Sequence, residues 1–203
     1  MNKSQSMSME MPAIRPYGLA LSNEARAALK SQRPRCIWLT GLSGAGKSTL
    51  ANALEVQLNQ SGFHTFILDG DNLRGGLCSD LGMGADCRRE NIRRMAEVAR
   101  LMVDAGLIVI VAAISPFRVE RETARRLFAE GDFIEVYVST PFSVCAQRDT
   151  KGLYQAALEG RIKDFTGIDS PYEAPLAAEC SIDTQDLELD DACARLLAIL
   201  LNK

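Results

Sequence analysis

The sequence predicts an α/β fold, a central parallel sheet covered by helices on both faces, from three observations. Short apolar runs (Cys36–Leu39, Thr65–Leu68, Leu107–Ile114 and Phe133–Val138) alternate with stretches of helical periodicity, the signature of repeated strand–helix–strand units. Leu107–Ile114 is apolar without interruption, as a central strand buried on both faces must be. The first run passes through a glycine-rich loop directly into a helical pattern.

Each element follows from local signals. Residues 1 to about 17, rich in Ser, Met and Pro, read as a disordered tail. The organisation is therefore a flexible tail over 1–20 and one domain over 21–203. Ser22-Asn23-Glu24 caps a short helix through Leu29, and Arg33-Pro34 ends that lead-in. After the first strand and its loop, Leu50, Ala53, Leu54 and Leu58 recur at helical spacing until Ser61-Gly62. Thr65–Leu68 is a second strand, with Asp69-Gly70-Asp71-Asn72 at its carboxyl end. From Gly75 to Asp86 the chain is glycine-rich and irregular. A long helix runs from about Asp86 to Ala105, turning Ile92, Met95, Ala96, Val98, Ala99 and Met102 inward, and Gly106 stops it. Ser115-Pro116 closes the 107–114 strand, and Val119–Ala129 is helical. Phe133–Val138 is the next strand, and Pro141 opens a helix toward Arg148. Residues 148–175 are polar and punctuated by Gly and Pro, a mobile helical lid. Glu179–Thr184 adds a last strand and Leu187–Leu201 an amphipathic closing helix.

Composition narrows the function. The 203 residues carry 23 Lys plus Arg against 26 Asp plus Glu, a net charge of -3. That balance opposes general nucleic-acid binding, which needs a basic surface, so an anionic ligand must be held by a local basic cluster. Six cysteines are scattered with no C-x-x-C pair, fitting reduced thiols in a cytosol rather than a zinc site or a disulfide framework. No signal-peptide core and no run near the ~20 apolar residues of a membrane span is present; a cytoplasmic protein with no membrane partner is expected. The one histidine, His64, precedes a strand and is given no role.

The loop fits G-x-x-x-x-G-K-[ST] from Gly41 to Ser48, with a strand before it and a helix after it. Gly41, Leu42, Ser43, Gly44, Ala45, Gly46, Lys47, Ser48 and Thr49 thus form a phosphate-binding loop, and the fold class sharpens to a P-loop NTPase three-layer sandwich. Backbone N–H groups must curl around phosphate oxygens, which requires glycine's open dihedral space. The helix N-terminus adds its dipole, Lys47 a positive charge and Ser48 a hydroxyl for Mg²⁺.

In parallel sheets ligands bind outside the carboxyl ends of the strands, and Gly41, Asp69/Asp71, Ser115 and Thr140 all fall there. Asp69 or Asp71 can accept a proton from an attacking hydroxyl or hold Mg²⁺ through water; the 107–114 run ends in Ser115, leaving this pair as the metal-linked acid. Arg74, Arg88, Arg89, Arg93 and Arg94 cluster around the irregular segment, and five charges cannot all converge on one ligand. Arg88 and Asn91, three apart on one helix face, join Arg74 as the stronger set. The lid brings Lys151, Arg161, Lys163, Tyr154 and Phe165 to exclude water and deliver cations. Ser115 can bind a ligand or cap the following helix.

Taken in order, these stretches resemble the adenylyl-sulfate kinase (APS kinase) family. The match runs from about Leu21 to Pro175. It comprises Trp38-Leu39-Thr40 with the loop through Thr49, Leu68-Asp69-Gly70-Asp71-Asn72-Leu73-Arg74, Glu90-Asn91-Ile92-Arg93-Arg94 and Ile114-Ser115-Pro116-Phe117-Arg118. The lid contributes Arg148-Asp149-Thr150-Lys151-Gly152-Leu153-Tyr154 and the stretch from Phe165 to Pro175. The resemblance implies transfer of the γ-phosphate of ATP to the 3′-hydroxyl of adenosine 5′-phosphosulfate, giving 3′-phosphoadenosine 5′-phosphosulfate (PAPS) and ADP. It implies Asp71 as base and Mg²⁺-linked residue, with Lys47 and Lys151 also in the catalytic set. Arg74, Met83, Arg88, Asn91, Ile114, Ser115, Lys151, Leu153 and Phe165 fall on substrate-contacting positions. Ser115 falls on the family's phosphoserine position, although direct in-line transfer needs no covalent step. A homodimer and a functional link to ATP sulfurylase are implied as well.

Three departures fall in the acceptor region. Gly82-Met83-Gly84-Ala85-Asp86-Cys87-Arg88 stands where the family has G-F-S-x-x-D-R, so Met83 replaces an aromatic that stacks on the substrate adenine and Cys87 breaks an Asp–Arg pair. Leu77-Cys78 stands for Leu-Asn, and Gly75 for His. Two alternatives therefore stand beside the leading reading: another small P-loop kinase for a nucleotide-like or sulfated metabolite, and a non-catalytic nucleotide switch. Intact Lys47, Ser48, Asp71 and Lys151 argue against the switch.

Overall fold

The computed structural model describes residues 17–201, so the tail expected over 1–20 lies outside the described residues as far as position 16. The elements are α1 (Asn23–Ala28), β1 (Arg35–Thr40), α2 (Lys47–Gln60), β2 (Thr65–Asp69), α3 (Gly70–Arg74), α4 (Ala85–Asp104) and β3 (Ile108–Ala112), followed by α5 (Arg118–Arg125), β4 (Phe133–Val138), α6 (Phe142–Arg148), α7 (Leu153–Leu158), β5 (Cys180–Ile182) and α8 (Leu189–Leu201). The five strands form one sheet in the order β2-β3-β1-β4-β5, every pair parallel.

Alternating side chains of the central strands feed two cores. Ile37 and Leu39 of β1, Ile110 of β3 and Val136 of β4 pack on Leu50, Leu54 and Leu58 of α2 and Leu196 of α8. On the opposite face Trp38, Val109, Val111 and Phe133 meet Ile92, Met95 and Ala99 of α4 and Ala124 of α5. Each fully buried Leu or Ile is worth roughly 1.5–3 kcal/mol of transfer free energy, and this double burial goes with an apolar β3 and an apolar Cys36–Leu39 stretch in β1. Val98 and Met102 of α4 are only partly buried at the edge of that second core.

Register brings the functional ends level. Leu39 pairs with Ala112, and Ala112 with Asp69, so the loop after β1, the D-G-D stretch and the residues after β3 open on one edge. Several boundaries differ from the sequence reading, the last strand among them, which covers only Cys180–Ile182 of the 179–184 expected. The 107–114 run is a strand only as far as Ala112, because β2 turns into α3 there and the next carbonyls are taken by side chains: Thr40 Oγ1 donates to Ile114 O at 2.7 Å and Arg121 Nη1 to Ser115 O at 2.6 Å. The 119–129 helix ends at Arg125, where Leu127 N→Ala124 O and Phe128 N→Arg125 O bonds tighten the turn. Asp69-Gly70-Asp71-Asn72 is not a plain turn. Asp69 is the N-cap of α3, its Oδ1 accepting from Asp71 N at 2.9 Å and Asn72 N at 3.3 Å.

Candidate active site

The glycine-rich loop is shaped by its surroundings. Gly41 sits at φ +153°, where a Cβ would come 2.4 Å from Val138 O; Gly46, the N-cap of α2, sits at +99° against Thr184. Only glycine fits either place. The loop is braced from outside by Thr140 Oγ1 donating to Ala45 O at 2.9 Å and Tyr154 OH donating to Ser43 O at 2.8 Å. Lys47 is buried and donates to Gly41 O at 3.0 Å and Leu42 O at 2.7 Å. Burial pulls its ammonium down to about 8, with Cys145, Asp71 and Asp69 partly opposing the shift.

A cleft of about 660 Å³ opens over this loop. Ser43, Gly44, Gly46, Lys47, Ser48 and Thr49 line it, whereas Gly41, Leu42 and Ala45 serve the backbone beneath. Across the cleft stand Asp69, Asp71, Arg74, Met83, Arg88, Asn91, Ile114, Ser115, Lys151, Leu153 and Phe165. Four separated stretches of sequence thus converge on one space.

Their bonds divide the roles. Ser48 Oγ donates to Asp69 Oδ2 at 2.7 Å, so of the two carboxylates left open by the sequence Asp69 is the one beside the loop's hydroxyl, and not Asp71, which the resemblance implied. Asp71 instead accepts a hydrogen bond from Lys151 Nζ of the lid, an exposed pair of small net stability. Ser48 and Asp69 offer the hard oxygens that Mg²⁺ takes. Among the described residues no group of three or more His, Cys, Asp or Glu stands together, so phosphate oxygens and water would complete the shell.

The arginines separate as the crowding argument requires. Arg93 bonds Glu90, and Arg94 bonds Asp80 and Glu90; those two bonds hold the Glu90 carboxyl down at about 2. Arg89 lies beside Asp86 and Glu120. Arg74 faces the cleft, with Nη1 on Gly82 O at 3.0 Å. Arg88 reaches over the cleft to the lid, Nη1 donating to Asp164 O at 2.7 Å and Thr166 Oγ1 at 3.3 Å. Its Nε, like Oδ1 of the neighbouring buried Asn91, has no partner. Met83 is 64% exposed, covering the cleft loosely where the sequence departs from its pattern. Phe165 is buried edge-on against Tyr154, 5.0 Å between centroids, and lines the cleft.

Ser115 does not cap α5, whose N-cap is Phe117. Its backbone is at φ +39° and its side chain is buried, with Trp38 Nε1 donating to its Oγ at 3.0 Å and Oγ donating to Ala113 O at 3.4 Å. The residue lines the cleft at the end of β3, its hydroxyl held by these two bonds.

Sequence reasoning missed the outer wall beside the loop. Arg148 donates to Thr184 Oγ1 at 2.7 Å and Thr184 O at 2.9 Å, and with Gln185, Leu187 and Leu189 it lines the cleft. This fixed guanidinium plane and apolar strip suit a purine base. The signal was present: Thr184 stands at the carboxyl end of β5, the position that singled out the other strand ends.

A family model for adenylylsulphate kinase matches residues 33–183. The chain belongs to the adenylyl-sulfate kinase family. An adenylyl-sulfate kinase from Shewanella amazonensis is 57% identical over 183 residues, covering 90% of this chain and 92% of the relative. One from Shewanella denitrificans is 60% identical over 181 residues, covering 89% and 88%. The structure of the Mycobacterium tuberculosis APS kinase in complex with AMPPNP and APS superposes with a TM-score of 0.80 at 43% identity, covering 84% of this chain and 99% of that one. A hexameric APS kinase from Thiobacillus denitrificans matches with a TM-score of 0.64 at 32% identity, covering 85% of this chain and 30% of that one. The chain is an enzyme of this kinase family, on the P-loop kinase fold expected from the sequence.

Proposed function

We propose that this protein transfers the γ-phosphoryl group of ATP to the 3′-hydroxyl of adenosine 5′-phosphosulfate, releasing ADP and PAPS. The observation that carries the reading is that one cleft holds the phosphate loop on one wall and Asp71, Arg74 and Arg88 on the other, with Lys151 of the lid between. The ATP analogue and APS held by the Mycobacterium tuberculosis relative support the pairing of substrates.

Loop N–H groups and the α2 N-terminus cradle the phosphates, and Lys47 exchanges its two loop carbonyls for phosphate oxygens. Ser48 and Asp69 would hold Mg²⁺, which offsets phosphate charge. Asp71 accepts the proton of the attacking hydroxyl while Lys151, released from Asp71, turns to the transferring group. Arg74 and Arg88 hold the acceptor's anionic groups. Ile114, Leu153, Phe165 and Met83 flank its base. The lid residues around 148–175 keep water out. No phosphoserine step is needed, since direct in-line transfer requires no covalent intermediate.

The acceptor must come from an enzyme joining sulfate to the adenylyl group of ATP, an ATP sulfurylase. A homodimer in the cytoplasm completes the reading; the hexameric relative supports assembly, and six free thiols support a reducing compartment. Among the described residues no helix is long and apolar enough to cross a membrane. The test is ADP release from ATP and Mg²⁺ with and without adenosine 5′-phosphosulfate. Strong stimulation is expected. Equal release in both, or stimulation only by another acceptor, would overturn the assignment.

A further inference from the structure

Arg121 does not line the cleft, yet its guanidinium joins three segments that shape the acceptor wall. The residue is 2% exposed. Nη1 donates to Ser115 O at 2.6 Å, Nη2 to Glu173 O at 2.7 Å and Nε to Glu135 Oε1 at 2.6 Å. Those partners belong to the stretch after β3, to the exit of the lid and to β4. Ile114, Ser115 and Pro116 line the cleft. Ser115 adopts left-handed backbone at φ +39°, a conformation that persists only where the surroundings over-determine it. Its carbonyl is fixed by Arg121 and its hydroxyl by Trp38. The lid exit is strapped to the same wall by Glu173 N on Pro116 O at 2.8 Å and Arg118 Nε on Ala174 O at 2.8 Å.

We propose that Arg121 is a positioning residue for the acceptor: it locks the Ile114–Pro116 wall to the lid exit, setting acceptor affinity without touching substrate. The inference rests on the acceptor reading given above. Three partners in three directions require a planar fork of donors, which a lysine ammonium cannot reproduce in place. Glu135 balances the buried charge and also receives Arg125 Nη2 at 3.3 Å. The phosphate loop is braced separately by Thr140 and Tyr154 and meets this wall through Thr40 Oγ1 on Ile114 O, so the effect falls mainly on one substrate.

The experiment compares wild type, Arg121→Lys and Glu135→Gln, measuring KM for each substrate, kcat, thermal midpoint and the emission of Trp38, the one tryptophan in the sequence. Arg121→Lys should raise KM for adenosine 5′-phosphosulfate about tenfold, leave KM for ATP within about twofold and shift Trp38 emission. Glu135→Gln keeps Arg121 and an acceptor at that place, and should move KM the same way by about threefold; it carries the test if Arg121→Lys fails to fold. An unchanged acceptor KM in a folded variant, or both KM values moving together with the thermal midpoint, would overturn the proposal. Should wild type show no stimulation by this acceptor, the functional reading fails, and the Trp38 emission shift still decides whether Arg121 holds the wall.

Discussion

The two halves of the cleft are built in opposite ways. The donor half is one unbroken stretch, Gly41 to Thr49, whose carbonyls are already paired with Lys47, Thr140 and Tyr154 and whose glycines pack against Val138 and Thr184. The acceptor half is drawn from α3, the start of α4, the residues after β3 and the lid. Its groups hold one another in place of substrate: Lys151 on Asp71, Arg88 on Asp164 and Thr166, Arg74 on Gly82. In the reading proposed above, a loop held by Thr140 and Tyr154 exchanges only its Lys47 bonds for phosphate, whereas an acceptor site built mostly of exchangeable bonds closes only when the right anion replaces them. The first half supplies affinity for a common nucleotide and the second supplies selectivity.

The largest effect expected from breaking this division is at Asp71. Asp71→Asn should lower turnover about a thousandfold while leaving the affinity for a non-hydrolysable ATP analogue unchanged, as equilibrium titration would show. Near-normal turnover would remove Asp71 as the base.

Next comes the donor half and its pH dependence. Only protonated Lys47 binds phosphate well, and burial has brought it down to about 8 in the free protein. A bound phosphate raises that value, so affinity for the analogue should be full below pH about 8 and fall above it. Lys47→Arg, which stays charged, should lose the inflection. The same decline in that variant would assign the titration to another group.

The smallest effect is at the loosely covered edge. Met83→Phe restores an aromatic face and should lower KM for adenosine 5′-phosphosulfate about threefold, with KM for ATP unmoved, by steady-state kinetics. A rise would mean that Met83 fits a different ring environment.

The same contrast governs what could be read from the sequence. The donor half was legible because its chemistry is local: the spacing from Gly41 to Ser48 carries the loop, its strand and its helix together. The parallel sheet covered on both faces followed from apolar runs that alternate with helical periodicity; the strand order did not. The acceptor half was legible residue by residue and not in its bonds. Nothing local distinguishes Asp69 from Asp71; the choice is made by where α3 starts and which carboxylate then reaches Ser48. Ser115 was legible as a strand-end residue on the cleft, but not its bond from Trp38 of the neighbouring strand. Arg121 carries no local signal, since its partners Glu135 and Glu173 are distant in sequence.

The central claim is that the phosphoryl group crosses directly from the donor half to the acceptor half. ATP made chiral at its γ-phosphorus tests it most directly, by the configuration of the 3′-phosphate in the product. A single in-line displacement gives inversion, which is the result expected here. Retention would require two displacements through a phosphorylated residue such as Ser115, and would contradict the account.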